Sequence, residues 1–324
     1  MKGTVDYNNQ FEKLISETLK RHEDIAGYYY YISGKNSIST NYSYINHVIR
    51  FQEFINKDLE FLTLDDYTRY LNSLRTKTSG YQRCAYYALK RLSEYLTYSG
   101  RVADNYMSHV SSPKNVESII TKQKREKGFL TKEEVKNVLD TAKTGVGNQN
   151  AQTKQAHWRE RDLAILYVFL STGMRCSALY KLDMSNINWE DKTIVTIDKG
   201  SKVNTYILPD ETIAILKKWI EKRERYLYNE DEDALFISNR RKRMTTAAIS
   251  LIVKKYSANI EGKHITPHKL RATYGTQLYN ETRDIKFVQD RMMHSNPKTT
   301  ELYIRGNEDA DRKKAADIMS KFLE

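Results

Sequence analysis

Six residues in the second half of the chain carry side chains that together suit phosphodiester chemistry. They are Arg175, Lys199, His268, Arg271, His294 and Tyr303. Guanidinium groups can hold phosphate oxygens with bidentate geometry, and lysine and histidine can donate hydrogen bonds or transfer protons. A tyrosine hydroxyl, with an ordinary pKa of about 10, becomes a nucleophile once a base accepts its proton. The set therefore suits a protein that holds a phosphodiester and attacks it.

The pair His268 and Arg271 depends on the helix that should carry it. Thr266 is predicted to cap this helix, and Pro267 to occupy its first position. A spacing of three then puts both side chains on one face of the first turn, beside a helix end that favours an anion. By itself the spacing favours an ordinary surface pair, so it predicts a site only in combination with the other residues.

The remaining four residues are each ambiguous when taken singly. Arg175 follows an apolar helix and Gly173, at the rim of a buried element, where a structural salt bridge is the alternative. Lys199 is predicted in a tight turn between two strands, where a lysine is normally solvated. His294 should end one helix and Tyr303 should lie on the next, in a chain that has 24 tyrosines.

The order of the short strings around these residues is far more specific than any one of them. The strings are Ser171-Thr-Gly-Met-Arg175, Asp198-Lys-Gly-Ser-Lys202, His268-Lys-Leu-Arg271, Met293-His294-Ser295 and Thr299-Thr-Glu-Leu-Tyr303. This order resembles the catalytic motifs of the tyrosine recombinases, the phage-integrase and Xer-like site-specific DNA recombinases. The resemblance covers nearly the whole second half, and residues 36–105 resemble, more loosely, the helical core-binding domain of that family.

The resemblance implies a reaction and a role for each residue. Tyr303 would attack the phosphodiester while His268 accepts its proton, and Lys199 would protonate the departing 5′ oxygen. Both arginines would hold the non-bridging oxygens, and His294 would donate a further hydrogen bond to the phosphate. Because a 3′-phosphotyrosine stores the bond energy, the resemblance implies no metal, no ATP and no other cofactor.

Two positions depart from the pattern of the family. The acidic residue that commonly follows the first arginine motif is here Ala178, which removes a group that could orient Arg175 or the later residues. The Leu-Gly that usually precedes the later histidine is here Met292-Met293, which we interpret as a variation in packing. How Arg175 is held in place therefore stays open at the level of the sequence.

Composition indicates a globular protein whose excess of positive charge favours a polyanionic partner, although charge alone does not distinguish it from basic proteins that bind no nucleic acid. Lys and Arg number 53 against 41 Asp and Glu, a net charge of +12. The basic residues divide as 19 against 14 acidic in residues 1–127 and 34 against 27 in residues 128–324, so both halves are basic. Two cysteines, Cys84 and Cys176, and no CxxC pair favour a reducing cytoplasm, with Cys176 predicted as a small buried side chain. The longest apolar stretch is far below the roughly 20 residues that a bilayer requires, so no membrane role is expected.

The predicted fold is mainly α, with a helical, SAM-like N-terminal core-binding domain and a mixed α+β catalytic domain that contains a small antiparallel sheet. The predicted boundaries are an N-terminal extension at 1–35, the core-binding domain at 36–109, a linker at 110–128 and the catalytic domain at 129–324. Thr131-Lys-Glu-Glu134 has the pattern of a capping box and opens the catalytic domain. Its sheet is predicted from β-branched runs at 193–198 and 203–208.

Helices are predicted from apolar periodicity on both sides of the linker. Three fall between residues 40 and 100. Thr63 is predicted to cap the second, and the third begins near Ser79 and stops before Gly100. In the second domain they are predicted near 131–143, 158–172, 210–227, 246–258, 267–280, 284–293, 297–304 and 308–322. The last segment carries an apolar stripe that must pack either on its own domain or on a neighbouring protomer. It resembles the C-terminal element of the family that docks into the adjacent protomer.

The expected partner is double-stranded DNA with inverted-repeat core sites. The resemblance implies that a homotetramer holds two such sites together. An accessory DNA-bending or directionality factor is a further candidate partner. Arg83, Lys90, Lys202 and Arg241 are the candidate DNA contacts. The run Arg240-Arg-Lys-Arg243 favours a basic turn that touches phosphate or solvent over a localisation signal.

Three alternatives use the same features differently. A type IB topoisomerase has a similar residue set, but the helical N-terminal part and the spacing of His294 and Tyr303 favour a recombinase. A catalytically silent DNA-binding regulator would not need all six residues. A metal-dependent transposase would need a carboxylate trio, and the sequence offers no convincing one.

Overall fold

The structure is a computed structural model that describes residues 2–114, 128–197, 203–227, 232–293 and 319–320, with side chains from residue 11 onward. The chain divides into two compact units, residues 1–118 and 119–324. The predicted linker at 110–128 lies largely outside the described residues. Among the described residues, no helix combines the length and apolar character needed to cross a membrane.

The first unit is helical throughout its regular elements. Its helices are α1 (Lys2–Leu19), α2 (Ala26–Ile32), α3 (Ile38–Ile55), α4 (Leu64–Ser73) and α5 (Ser79–Tyr98). The predicted cap is present at α4, where the Thr63 and Asp66 side chains form a capping box. The Thr78 side chain caps α5. The three helices predicted between residues 40 and 100 are therefore confirmed.

One apolar core fills the first unit, and the N-terminal helices share in it. The core includes Val48 and Phe51 of α3 and Leu89 of α5, all fully buried. Ile25 and Tyr28 belong to the same core, and the Tyr28 hydroxyl donates to the carbonyl of Ala88 at 3.0 Å. The sequence predicts an extension at 1–35; the structure gives residues of that segment a packing role that their polar, Tyr-rich pattern concealed.

The second unit combines helices with a three-stranded antiparallel sheet. Its helices are α6 (Lys132–Thr144), α7 (Gln149–Ala156), α8 (Arg159–Thr172), α9 (Cys176–Tyr180), α10 (Asp210–Tyr226), α11 (Thr246–Tyr256), α12 (Pro267–Thr282) and α13 (Ile285–Met292). Its strands are β1 (Ile187–Asn188), β2 (Thr193–Ile197) and β3 (Val203–Ile207), in the order β1-β2-β3. The predicted fold class, mainly α with a small antiparallel sheet, is confirmed.

Local sequence explains where the decisive elements of this unit begin and pair. The Thr131 and Glu134 side chains form the predicted capping box at the start of α6. The predicted hairpin is present, with Thr196 opposite Asn204 and Ile194 opposite Tyr206 in the β2–β3 register. Helix α8 is buried on nearly all sides, because its sequence from 163 to 169 is almost continuously apolar.

Three elements of this unit escape the sequence patterns. Strand β1 is only two residues long, α7 has no buried residue, and α9 has only five residues. The helices predicted at 297–304 and 308–322 lie outside the described residues, apart from 319–320.

Candidate active site

Arg271 is the most firmly held of the predicted site residues. It lies in the second turn of α12 with only 3% of its surface exposed. Its Nη1 donates to the carbonyl oxygen of Gly173, and its Nη2 to that of Met292. One buried guanidinium thus links the end of α8, the body of α12 and the end of α13, and this fixes three of the elements that carry the motifs.

Gly173 ends α8 in a conformation that suits glycine. Its backbone has φ of +60°, in the left-handed region, and its N–H donates to the carbonyl of Phe169 at 2.9 Å. The Tyr274 ring, one turn beyond Arg271 on α12, packs against it. This turn directs the chain from the buried helix into Met174 and then Arg175.

Arg175 occupies the N-cap position of α9 and is exposed to solvent, whereas Met174 before it is fully buried. The prediction that a charge is delivered at the rim of a buried element is therefore confirmed. Ala178, which stands where the acidic residue was expected, is 4% exposed.

His268 lies one turn before Arg271 on the same helix, as the spacing predicts. Thr266 is at the N-cap position and Pro267 at the first position, but the Thr266 side chain makes no capping hydrogen bond. That part of the prediction is wrong, since the threonine contributes its carbonyl, which accepts from the N–H of Lys269 at 2.9 Å.

The electrostatics of His268 tie three of the predicted residues together. Although the residue as a whole is exposed, desolvation of its imidazole lowers its pKa, and the charges of Arg271, Lys269 and Arg175 lower it further. The geometry agrees, because Arg271 lies one turn from His268 on α12 and binds the carbonyl of Gly173, two residues before Arg175. A lowered pKa favours the neutral ring, which is the form that accepts a proton.

A cavity of about 440 Å³ adjoins the members of several motif strings. Its lining residues are Ser171, Thr172, Val203, Asn204, Thr205, Tyr206, Ile207, Tyr274, Asp290, Arg291 and Met293. Ser171 and Thr172 belong to the Arg175 string, Val203 directly follows the Lys199 string, and Met293 begins the His294 string. The folding of α8, β3, α12 and α13 therefore brings the neighbourhoods of these strings to one place.

A family model described as the phage integrase family matches residues 128–309, more than half of the 324 residues. The chain belongs to the phage integrase family.

Curated members of the phage integrase family share moderate identity with the chain. It is 35% identical over 178 residues to a tyrosine recombinase XerC of Caldanaerobacter subterraneus subsp. tengcongensis, covering 54% of the chain and 46% of that protein. It is 28% identical over 267 residues to a tyrosine recombinase XerS of Streptococcus agalactiae serotype III, covering 76% of the chain and 74% of that protein. In the first match the chain thus spans about half the length of its relative.

Solved structures support the same fold over most of the chain. A XerH site-specific recombinase bound to palindromic difH substrate, in a post-cleavage complex, matches with a TM-score of 0.68 and 21% identity, covering 86% of this chain and 80% of that one. A lambda integrase tetramer bound to a Holliday junction matches with a TM-score of 0.63 and 15% identity, covering 87% and 76%. At such identities the likeness concerns the fold.

The second departure from the phage integrase family pattern proves to concern the backbone. Met292 is 1% exposed and packs with Tyr279 and Val288, which agrees with a variation in packing. Met293, however, ends α13 with φ of 52° and ψ of 46°, in the left-handed region. Glycine is the residue that adopts this conformation without strain, so methionine here carries a cost of about 1–2 kcal/mol.

Three of the six predicted catalytic residues and one predicted DNA contact lie outside the described residues. They are Lys199, His294, Tyr303 and Lys202. The structure thus brings Arg175, His268 and Arg271 together and makes no statement about the other positions.

The described DNA-contact candidates lie on different units. Arg83 and Lys90 are half-buried and seven residues apart on α5, so they share a helix face with Tyr87, which is 38% exposed and was missed because tyrosines are so common here. Arg241 is exposed in a turn of the second unit, with φ of 59°.

Cys176 is half-buried, and burial raises its pKa to about 11, so it stays a thiol.

Proposed function

We propose that the chain is a site-specific DNA recombinase that cleaves and rejoins DNA through a 3′-phosphotyrosyl intermediate on Tyr303, without metal or ATP. The observation that supports this best is that Arg271, one turn from His268 on α12, binds the Gly173 carbonyl two residues before Arg175. A cavity lined by Ser171, Thr172 and Met293, from the Arg175 and His294 strings, adds to this support. Membership of the phage integrase family supplies the chemistry that this placement suits.

The proposed mechanism divides the chemistry among the six residues. Arg175 and Arg271 hold the non-bridging oxygens, where charge grows in the transition state. His268, whose lowered pKa favours the neutral ring, accepts the proton of the attacking hydroxyl. Lys199 protonates the departing 5′ oxygen, and His294 donates a further hydrogen bond to the phosphate.

Strand exchange then follows from the covalent intermediate. A 5′-hydroxyl of the partner strand attacks the phosphotyrosine, which reseals the DNA and releases Tyr303. Two such exchanges, through a Holliday junction, give integration, excision or inversion. The solved lambda integrase tetramer, which has the same fold, is bound to a Holliday junction, the intermediate that this proposal requires.

We propose an assembly of four protomers on paired duplexes with inverted-repeat core sites. In this proposal residues 36–109 form the core-binding domain and residues 129–324 the catalytic domain, with 307–324 as the contact between protomers. Arg83 and Lys90 on α5 and Arg241 in the second unit meet DNA phosphates. An accessory DNA-bending or directionality factor and a cytoplasmic location, where the DNA lies, belong to the same proposal.

The test replaces Tyr303 by Phe and traps the intermediate on a nicked site. Removal of one hydroxyl should spare DNA binding and abolish the SDS-stable protein–DNA adduct. The parent protein should form the adduct in EDTA and without nucleotide. A persistent adduct in the Phe variant, or a strict Mg²⁺ requirement for cleavage, would overturn the proposal.

A relaxation assay separates this function from that of a type IB topoisomerase. A recombinase should rejoin strands between paired sites and should relax supercoiled DNA that lacks a site poorly. Efficient relaxation of any supercoiled plasmid, with no exchange between sites, would favour the topoisomerase.

A further inference from the structure

The basic run at residues 240–243 does not act as a unit. Arg240, Arg241 and Lys242 are exposed at the tip of a tight turn that is closed by a hydrogen bond from the Ser238 N–H to the Lys242 carbonyl at 2.8 Å. The Arg243 side chain points back into the second unit and is only 7% exposed. A buried arginine needs partners, and its partners lie on the segment that begins with Arg175.

Arg243 binds the far end of α9. Its Nη1 donates to the carbonyl oxygens of Tyr180 at 3.0 Å and Leu182 at 3.1 Å. Its Nη2 pairs with the carboxylate of Asp183, whose side chain is 13% exposed. The guanidinium thus satisfies carbonyls at the end of this short helix, where a cation is also electrostatically favoured.

Helix α9 is the element that places Arg175. It has five residues, and Arg175 is its N-cap residue. At 1.5 Å per residue, its two ends are less than about 10 Å apart. A displacement of the backbone at the Arg243 end of α9 is therefore transmitted to Arg175 through about one and a half turns of helix.

The backbone already joins these segments without Arg243. The N–H of Leu235 donates to the carbonyl of Leu182 at 2.9 Å, and the N–H of Met184 to that of Asp233 at 2.9 Å. Holding the two segments together therefore does not require the buried ion pair. What the guanidinium adds is a fixed orientation for the last turn of α9.

We propose that Arg243, through its pair with Asp183, is a positioning residue for Arg175. It acts through the backbone of α9, which contains the buried, uncharged Ala178 in place of the acidic residue that is usual in the family. This proposal rests on the proposed recombinase function, because its consequence is read in the cleavage step. It assigns Arg243 no contact with DNA, in contrast to the phosphate contact proposed for Arg241.

The test is a double-mutant cycle on single-turnover cleavage of a nicked site at saturating DNA. Arg243→Gln should slow cleavage roughly 10- to 100-fold, the scale of a small displacement of a catalytic group. In an Arg175→Lys background the same change should slow cleavage less than about 2-fold, because the group that it positions is already impaired. Lys242→Gln removes one positive charge from the residue directly before Arg243. It should leave the cleavage rate at saturating DNA within about 2-fold of the parent rate.

A purely structural role gives a different outcome. Arg243→Gln would then lower the cleavage rate by the same factor in both backgrounds, in parallel with a fall in melting temperature, and that result would overturn the proposal. Should Arg243→Gln fail to fold, Asp183→Asn carries the cycle, since it keeps the two carbonyl contacts and removes only the paired charge. Failure of the proposed function is distinguishable, because the parent protein would then form no adduct at all.

Discussion

Gly173 and Tyr274 touch so closely that no side chain fits between them: a β-carbon on Gly173 would lie 2.3 Å from Cδ1 of Tyr274. The glycine also has φ of +60°, which disfavours any other residue. Both constraints act at the turn that leads from α8 to Arg175.

Gly173→Ala should therefore be costly for two reasons. The left-handed backbone costs about 1–2 kcal/mol for alanine, and the overlap with Tyr274 adds about 1–3 kcal/mol. Gly262→Ala is the matched control, because Gly262 has φ of +67° and open space around it, so only the backbone cost applies. Urea unfolding of the second unit, followed by tryptophan fluorescence, measures the loss in free energy of unfolding for each variant. Equal losses in the two variants would show that the Tyr274 ring moves to accommodate the added methyl group.

Arg271 and Arg175 should respond differently to replacement by lysine. Both variants should lose on the order of 10²-fold in cleavage rate, because an ammonium cannot reproduce the guanidinium fork. Only Arg271→Lys should also destabilise the protein, by about 1–3 kcal/mol, since it leaves a buried carbonyl of Gly173 or Met292 without its donor. Melting temperatures beside single-turnover rates make the comparison, and an equally destabilised Arg175→Lys would contradict it.

The pH dependence of cleavage should reflect His268. The lowered pKa means that the neutral, proton-accepting ring persists as the pH falls through the ordinary value of 6.5, so the rate should decline only below that pH. Lys269→Gln removes one of the charges that lower the pKa and should move the midpoint of the decline upward. NMR titration, with His268→Asn to assign the resonance, checks both statements; a midpoint above 6.5 in the parent would exclude the assigned role.

His47 should make the first unit sensitive to acid. It is 4% exposed, and its Nδ1 has no hydrogen-bond partner among the residues that the structure describes. Burial, with a smaller contribution from Arg50, lowers its pKa to about 4. The unfolded state therefore binds a proton that the folded state does not between pH 6.5 and 4, and stability is lost as the pH falls through that window. At 1.36 kcal/mol per pKa unit the loss is about 3 kcal/mol. Hydrogen exchange in α3 should show it in the parent and not in His47→Gln; identical pH slopes would refute the prediction.

The sequence predicts well wherever structure is decided locally. The capping boxes at Thr63 and Thr131 and the hairpin of β2 and β3 follow from residues that are neighbours in the chain. The spacing of His268 and Arg271 likewise sets their shared face, although the Thr266 side chain does not cap as expected.

What the sequence could not supply depends on residues that are distant in the chain. The two carbonyls that Arg271 binds are 98 and 21 residues away, and no local pattern marks either one. The buried role of Arg243 is hidden by the exposed cations next to it. The left-handed backbone of Met293 was also not predictable, because methionine is not a residue type that favours positive φ.

The two carbonyl contacts of Arg271 also bear on how such a protein could change during evolution. On the proposed function, a descendant that bound DNA but no longer cleaved it would act as a repressor at the recombination sites. Substitution of Arg271 is a poor route to that outcome, because it would also remove the hydrogen bonds to the Gly173 carbonyl at the end of α8 and the Met292 carbonyl at the end of α13. Substitution of the exposed Arg175 leaves those hydrogen bonds in place. We therefore expect descendants that bind DNA without cleaving it to have lost Arg175 more often than Arg271.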